Sequence, residues 1–165
     1  MNRNQNSFLW IALISLALLH AACNKVPLYP DEPILTEGSF ELLKNSIGQD
    51  TAVLIKFKFT DGDGDLGLTA ADTIPPYDKN LFVAYFQKVD GKFEKIVLPG
   101  STDTLNFNSR IRDYNITGAN AAQAEVSLNI NISVVLADTI LFEYYLRDKA
   151  RNISNKLSTG PIALN

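Results

Sequence analysis

The sequence predicts an all-β fold, a single antiparallel β-sandwich of the Ig-like Greek-key kind, and three observations carry that expectation. Apolar residues alternate with polar ones along several runs, as in strands with one buried face. Turn-forming residues punctuate those runs at short intervals. Helical signals are confined to one brief alanine-rich stretch, too short for an ordinary helix. A small β-barrel is the alternative, because alternation alone does not separate two packed sheets from one closed sheet.

The chain opens with a leader. Arg3 supplies a positive charge, and Phe8 to Leu19 is apolar apart from Ser15. That length suits the core of a signal peptide and falls short of the roughly 20 residues a membrane-spanning helix needs. Leu19-His20-Ala21-Ala22-Cys23 resembles the bacterial lipobox, in which cleavage before the cysteine follows its lipidation, with His20 standing where an aliphatic residue is usual. Cys23 is the single cysteine, so it has no disulfide partner. The expectation is a lipid on Cys23 and an outer-membrane lipoprotein of a bacterial cell envelope, attached to the membrane through that lipid. Cleavage after Ala22 by ordinary secretion, leaving a free thiol, is the alternative. The chain thus divides into a signal peptide at 1–22, an anchor with a Pro-rich spacer at 23–35, and the sandwich domain at 36–165. Pro27, Pro30 and Pro33 stand three apart, which suits an extended polyproline II spacer. A lead-in packed on the domain is the alternative, since Val26, Leu28 and Tyr29 are apolar.

Strands follow. Phe40 and Leu42 begin a short one, ended by Asn45 to Gly48. Val53, Ile55, Phe57 and Phe59 alternate with Leu54, Lys56, Lys58 and Thr60, giving a half-buried strand with a basic outer face. Leu81 to Val89 meets Asp90-Gly91, a type I′ hairpin signal, so Lys92 to Leu98 is expected to return antiparallel until Pro99-Gly100. Leu105 and Phe107 mark a weaker strand, and Ala119 to Ala124 reads as a turn or so of helix. Val126, Leu128, Ile130, Ile132 and Val134 form the cleanest alternation, and Ile140, Phe142, Tyr144 and Leu146 repeat it. A last strand over Asn155 to Leu164 is interrupted at Gly160-Pro161.

Composition excludes some chemistry. His20, Met1 and Trp10 are the sole residues of their types and all lie in the leader. Residues 24–165 therefore carry neither the commonest general acid/base nor a thiol nucleophile, nor the ligands of the usual zinc sites. The formal charge of −3 becomes −4 without Arg3, which argues against a nucleic-acid binder.

The most distinctive stretch is Phe59-Thr60-Asp61-Gly62-Asp63-Gly64-Asp65-Leu66-Gly67-Leu68. Three carboxylates this close repel one another unless water or a cation compensates them, and the intervening glycines let alternate side chains converge. Against the EF-hand template, Asp61, Asp63 and Asp65 fall at positions 1, 3 and 5, and Asp72 falls at position 12. Leu66 occupies the glycine position and the flanks are not helical, so the expectation is a structural Ca2+ turn at a strand end rather than an EF-hand. The turn Arg147-Asp148-Lys149-Ala150-Arg151-Asn152 resembles the Asp-x-Ala-Gly-Asn turn of many bacterial Ig-like domains, with Arg151 in place of glycine. Asp148 and Asn152 add oxygens if the two turns share one end of the sandwich. Alternatively, Arg147, Lys149 and Arg151 pair with the aspartates and make a metal unnecessary.

Together with Pro75-Pro76-Tyr77-Asp78-Lys79-Asn80-Leu81-Phe82, the lipobox and the Arg147 to Asn155 turn, the acidic loop resembles that of a group of uncharacterised lipoproteins of Bacteroidetes-type bacteria. The resemblance implies a lipid-anchored β-sandwich and supplies no activity. Asp-Thr-apolar triplets at Thr51, Thr73, Thr104 and Thr139 are similar to the short O-glycosylation signal of such bacteria, and they are also how a turn hands over to a strand. The functional expectation is a calcium-stabilised structural or interaction module with a protein or glycan partner. A carbohydrate-binding module stacking sugars on Tyr77, Tyr85, Tyr144 or Tyr145 is the alternative, and an enzyme built on aspartate pairs ranks last.

Overall fold

The computed structural model describes residues 29–72, 74–75, 77–112 and 122–165. The expected leader, Cys23, Pro27, Thr73 and residues 119–121 lie outside them. The described residues form eight strands and no helix: β1 (Ile34–Lys44), β2 (Asp50–Asp61), β3 (Leu81–Val89), β4 (Lys92–Lys95), β5 (Ala122–Asn131), β6 (Thr139–Leu146), β7 (Leu157–Ser158) and β8 (Ile162–Ala163). One sheet runs β1-β2-β5 and the other β4-β3-β6-β7, with β8 also on β6. Every strand pairing is antiparallel. The described residues form an all-β sandwich and no closed barrel.

Alternation sets which face each strand buries. Val53, Ile55, Phe57 and Phe59 of β2 point inward against Ile140, Phe142, Tyr144 and Leu146 of β6 and Leu81, Val83 and Tyr85 of β3. Phe57 and Tyr144 join the sheets with ring centroids 5.0 Å apart. Tyr85, Phe107 and Phe142 form a second aromatic group at 5.4–5.9 Å, within the range where tilted rings attract.

Asp90 and Gly91 have φ of 48° and 82° between Val89 and Lys92, which pair, so the Asp-Gly turn forms as the sequence predicts. Its returning strand is shorter than expected. β4 stops at Lys95, and Val97 instead bridges Thr104 around the Pro99-Gly100 turn. The break at Gly160-Pro161 separates β7 from β8 as expected.

Three expectations need correction. The first strand starts at Ile34, ahead of Phe40 and of the expected domain boundary at residue 36, because β1 continues past an irregularity between Thr36 and Ser39. Glu37 sits there at φ 53°, which disrupts the alternation that sequence reading relies on. The helical turn expected up to Ala124 is strand from Ala122 onward, since pairing of Ala122 with Asp61 and Ala124 with Phe59 overrides alanine's helix propensity. Finally, Tyr29 and Pro30 are not part of a free spacer: the Gly62 N–H donates to the Pro30 carbonyl at 2.7 Å, and the Tyr29 hydroxyl donates to Gln123 Oε1 at 3.2 Å. Among the described residues, no helix is long and apolar enough to cross a membrane.

Candidate metal centre

Strand β2 delivers the first carboxylate. Asp61 is its last residue and follows Val53, Ile55, Phe57 and Phe59 at the same period of two, so the pleat turns it inward and it is 0% exposed. Beyond it the chain leaves the sheet, but the loop stays tethered. Leu66 and Leu68 are buried, the Leu66 N–H donates to Asp61 Oδ2 at 2.9 Å, and the Leu68 N–H donates to the Ile111 carbonyl at 3.0 Å.

This folding back brings Asp61, Asp63 and Asp65 together, with one carboxylate oxygen from each lying within 4.8 Å of the others. The three differ in exposure: Asp61 is buried, Asp65 half-buried and Asp63 exposed. The Oδ1 atoms of Asp61 and Asp65 are buried and lack a hydrogen-bond partner among the described residues. Buried carboxylate oxygens normally have partners, so this is the site's chief anomaly. Burial is the main cause that pushes the Asp61 carboxyl up to about 7; the Leu66 N–H opposes the shift and repulsion from Asp63 and Asp65 adds to it. Burial likewise raises Asp65, with repulsion from Asp148 and Asp63, against the N–H groups of Ala150 and Lys149.

The basic turn does lie at the same end, as the sequence allowed, but it contributes differently. The Ala150 N–H donates to Asp65 Oδ2 at 3.0 Å. Asp148, only 4% exposed, turns both oxygens to Asn152, accepting from its N–H at 2.7 Å and its Nδ2 at 2.8 Å. Arg151 takes a φ of 76°, the left-handed geometry that suits glycine at this place in the turn it resembles. Its guanidinium lies over the Tyr77 ring and donates to the Tyr77 hydroxyl, while Arg147 lies over Phe82. Asp72 also stands apart from the converging three. Its Oδ2 accepts from the N–H and hydroxyl of Thr69 and so closes a separate turn, which lowers its pKa. Of the six metal ligands expected, the structure thus converges Asp61, Asp63 and Asp65, while Asp72, Asp148 and Asn152 serve as turn closures around them.

Other expected sites fall elsewhere. Thr51 and Thr139 lie at strand starts, and the Thr51 hydroxyl donates to the Leu43 carbonyl at 3.1 Å. Thr104 is half-buried in its bridge to Val97. Tyr85 and Tyr144 are buried in the core and present no stacking face. Tyr77 and Tyr145 are accessible, and each ring already carries a cation, from Arg151 and Lys156 respectively.

Sequence reading missed Asn80, which holds the site from beneath. This residue is 1% exposed; its Nδ2 donates to the carbonyls of Leu66 at 2.6 Å and Ile111 at 3.0 Å, and its Oδ1 accepts from the Ile111 N–H at 2.7 Å. One side-chain amide therefore joins the acidic loop to the segment beside β3. The available signal was an asparagine directly before an apolar strand, which turn statistics assign to the turn.

Comparison with protein-family models, with curated proteins and with solved structures finds no match to this chain.

Two outcomes are expected of the site itself. Asn80→Asp removes the donors facing the buried Leu66 carbonyl and the part-buried Ile111 carbonyl and is expected to cost about 1–3 kcal/mol, seen as a lower denaturant midpoint; exposed Lys79→Ala is expected to stay within about 0.5 kcal/mol. The second concerns pH in chelator. Between the ordinary carboxyl value of 3.8 and about 7, folded Asp61 keeps a proton that the unfolded chain has lost. Its contribution is thus complete below the unfolded value and declines as pH rises through the folded one. Thermal melts in EDTA should fall between pH 5 and pH 7.5, and Asp61→Asn should flatten that decline.

Proposed function

We propose that this chain is a lipid-anchored β-sandwich of the bacterial cell envelope, stabilised at one end by calcium and acting as a structural or interaction module. The observation that carries the metal reading is the Asp61 Oδ1 atom, buried, without a hydrogen-bond partner among the described residues, on a carboxylate that converges with those of Asp63 and Asp65. Hard divalent cations take all-oxygen shells, and Ca2+ accepts carboxylates, carbonyls and waters in flexible numbers. Three carboxylates leave room for carbonyls and water to complete such a shell. In this reading the ion is structural: residues 24–165 contain no histidine or cysteine to act with it as a base or nucleophile.

The anchor reading rests on the leader and on Leu19-His20-Ala21-Ala22-Cys23, and the likeness to lipoproteins of Bacteroidetes-type bacteria rests on that segment with the acidic loop. Its partner is a protein or glycan of the envelope, and the acidic charge disfavours nucleic acid.

Calcium titration followed by melting tests the metal. A site that binds only the folded state is expected to add about 2.7 kcal/mol at a hundredfold excess over Kd. Mg2+ should do less, because it resists dehydration and demands a stricter octahedron. Asp63→Asn should shrink the calcium gain. Asp61→Asn should abolish it while raising the metal-free melt above pH 7, where the buried Asp61 is charged. Identical melts in calcium and EDTA for the unaltered protein would refute the metal.

A further inference from the structure

We propose that calcium at Asp61, Asp63 and Asp65 latches the Tyr29–Pro33 lead-in onto the domain, so that occupancy of the loop decides where the chain leaves the sandwich. This inference rests on the calcium reading above and adds a consequence to it.

The lead-in meets the acidic loop at Gly62, between two of the three carboxylates. The Gly62 N–H donates to the Pro30 carbonyl at 2.7 Å. A Cβ on Gly62 would lie 2.2 Å from the Tyr29 carbonyl oxygen and 2.5 Å from that of Pro30. The two backbones therefore lie flush, with no space for any side chain between them. Any rearrangement of the loop at Gly62 displaces the lead-in, and any displacement of the lead-in exposes the loop.

Attachment of this segment is uneven along its length. Its downstream end is firm: Pro33 and Leu35 are buried, and the Asn155 side chain accepts from the Leu35 N–H at 2.8 Å and donates to its carbonyl at 3.0 Å. Upstream, the described contacts are the Gly62–Pro30 bond, the flush backbones and an exposed bond from Tyr29 to Gln123. Asp31 and Glu32 lie between these ends and are exposed. Docking therefore holds these two exposed acidic residues directly after the Pro30 carbonyl that Gly62 binds. A divalent ion held beside Gly62 would attract these carboxylates, and that attraction is what the latch adds to the docked state. The coupling is reciprocal: calcium favours the docked lead-in by the same factor by which the docked lead-in favours calcium.

Amide exchange read by NMR on the purified protein tests the latch, with calcium and with EDTA. The Gly62 amide reports docking directly, because its acceptor belongs to the lead-in; the Leu35 amide, held by Asn155, reports general stability. Calcium is expected to slow Gly62 exchange by about tenfold relative to Leu35 and to raise the heteronuclear NOEs of Asp31 and Glu32. If calcium raises the melting temperature but moves neither the exchange ratio nor those NOEs, the latch is wrong and the calcium site stands. If the melting temperature is also unmoved, the calcium site fails and the latch falls with it. Gly62→Ala expels the lead-in while keeping all three carboxylates, and is expected to weaken calcium binding by the factor measured for Gly62 exchange. A folded Gly62→Ala protein with undiminished calcium affinity overturns the latch. Should that variant not fold, the measurements on the unaltered protein decide alone.

Discussion

The pleat of β2 governs both the core and the acidic loop. Val53, Ile55, Phe57 and Phe59 occupy its inward face, and the next inward position is Asp61. A strand cannot turn a single side chain outward without a bulge or a slip, and a slip would expose the whole aliphatic row. The partners forbid that slip. Thr60 pairs with Ile34 of β1, and Asp61 pairs with Ala122 at the end of an unbroken ladder with β5. The carboxylate is thus desolvated by the register of a sheet stabilised along its full length, and not by any preference of the loop.

That origin explains what was legible in the sequence. Period-two alternation located the inward faces of β2, β3, β5 and β6, since each is repeated often enough to stand above local noise. Alternation also contains the burial of Asp61, but the glycines beside it give the residue the look of a loop. Two further asparagines carry much of the irregular structure without a pattern to announce them. Asn80 completes the hydrogen bonding of the loop and the 109–111 segment, and Asn155 does so for the first turns of β1. Each acts at long range, pairing residues whose proximity exists only after the sheets have packed. Single-sequence reasoning sees asparagine as a turn former, and cannot see which distant backbone group it will satisfy.

The same distinction separates the converging aspartates from the rest. Asp61, Asp63 and Asp65 lie on one short loop, so their proximity follows from local spacing. Asp72 and Asp148 each had a nearer backbone donor: Thr69 three residues before, Asn152 four after. Short-range closure of this kind costs little loop entropy, whereas reaching a shared ion requires two separate turns to be placed correctly. Local capping explains why those two carboxylates stand outside the cluster. The basic turn reaches Asp65 through backbone N–H groups, of Ala150 and Lys149, and not through its own carboxylate.

The loop is left with a charge that it cannot shed by opening. Releasing Asp61 to water would expose Leu66 and Leu68, each worth about 1.5–3 kcal/mol of burial. It would also break the Asn80 bond that holds the Leu66 carbonyl. Opening is therefore opposed from beneath, and compensation must arrive from outside. A proton is one form of it, and the carboxyl at about 7 places that exchange near neutrality. A divalent cation is the other, and it alone can serve all three carboxylates at once. A proton on Asp61 compensates one carboxylate, whereas an ion held among the three would act on all of them together. The geometry that makes the loop unfavourable as uncompensated carboxylates is the geometry from which the proposed cation would draw its binding.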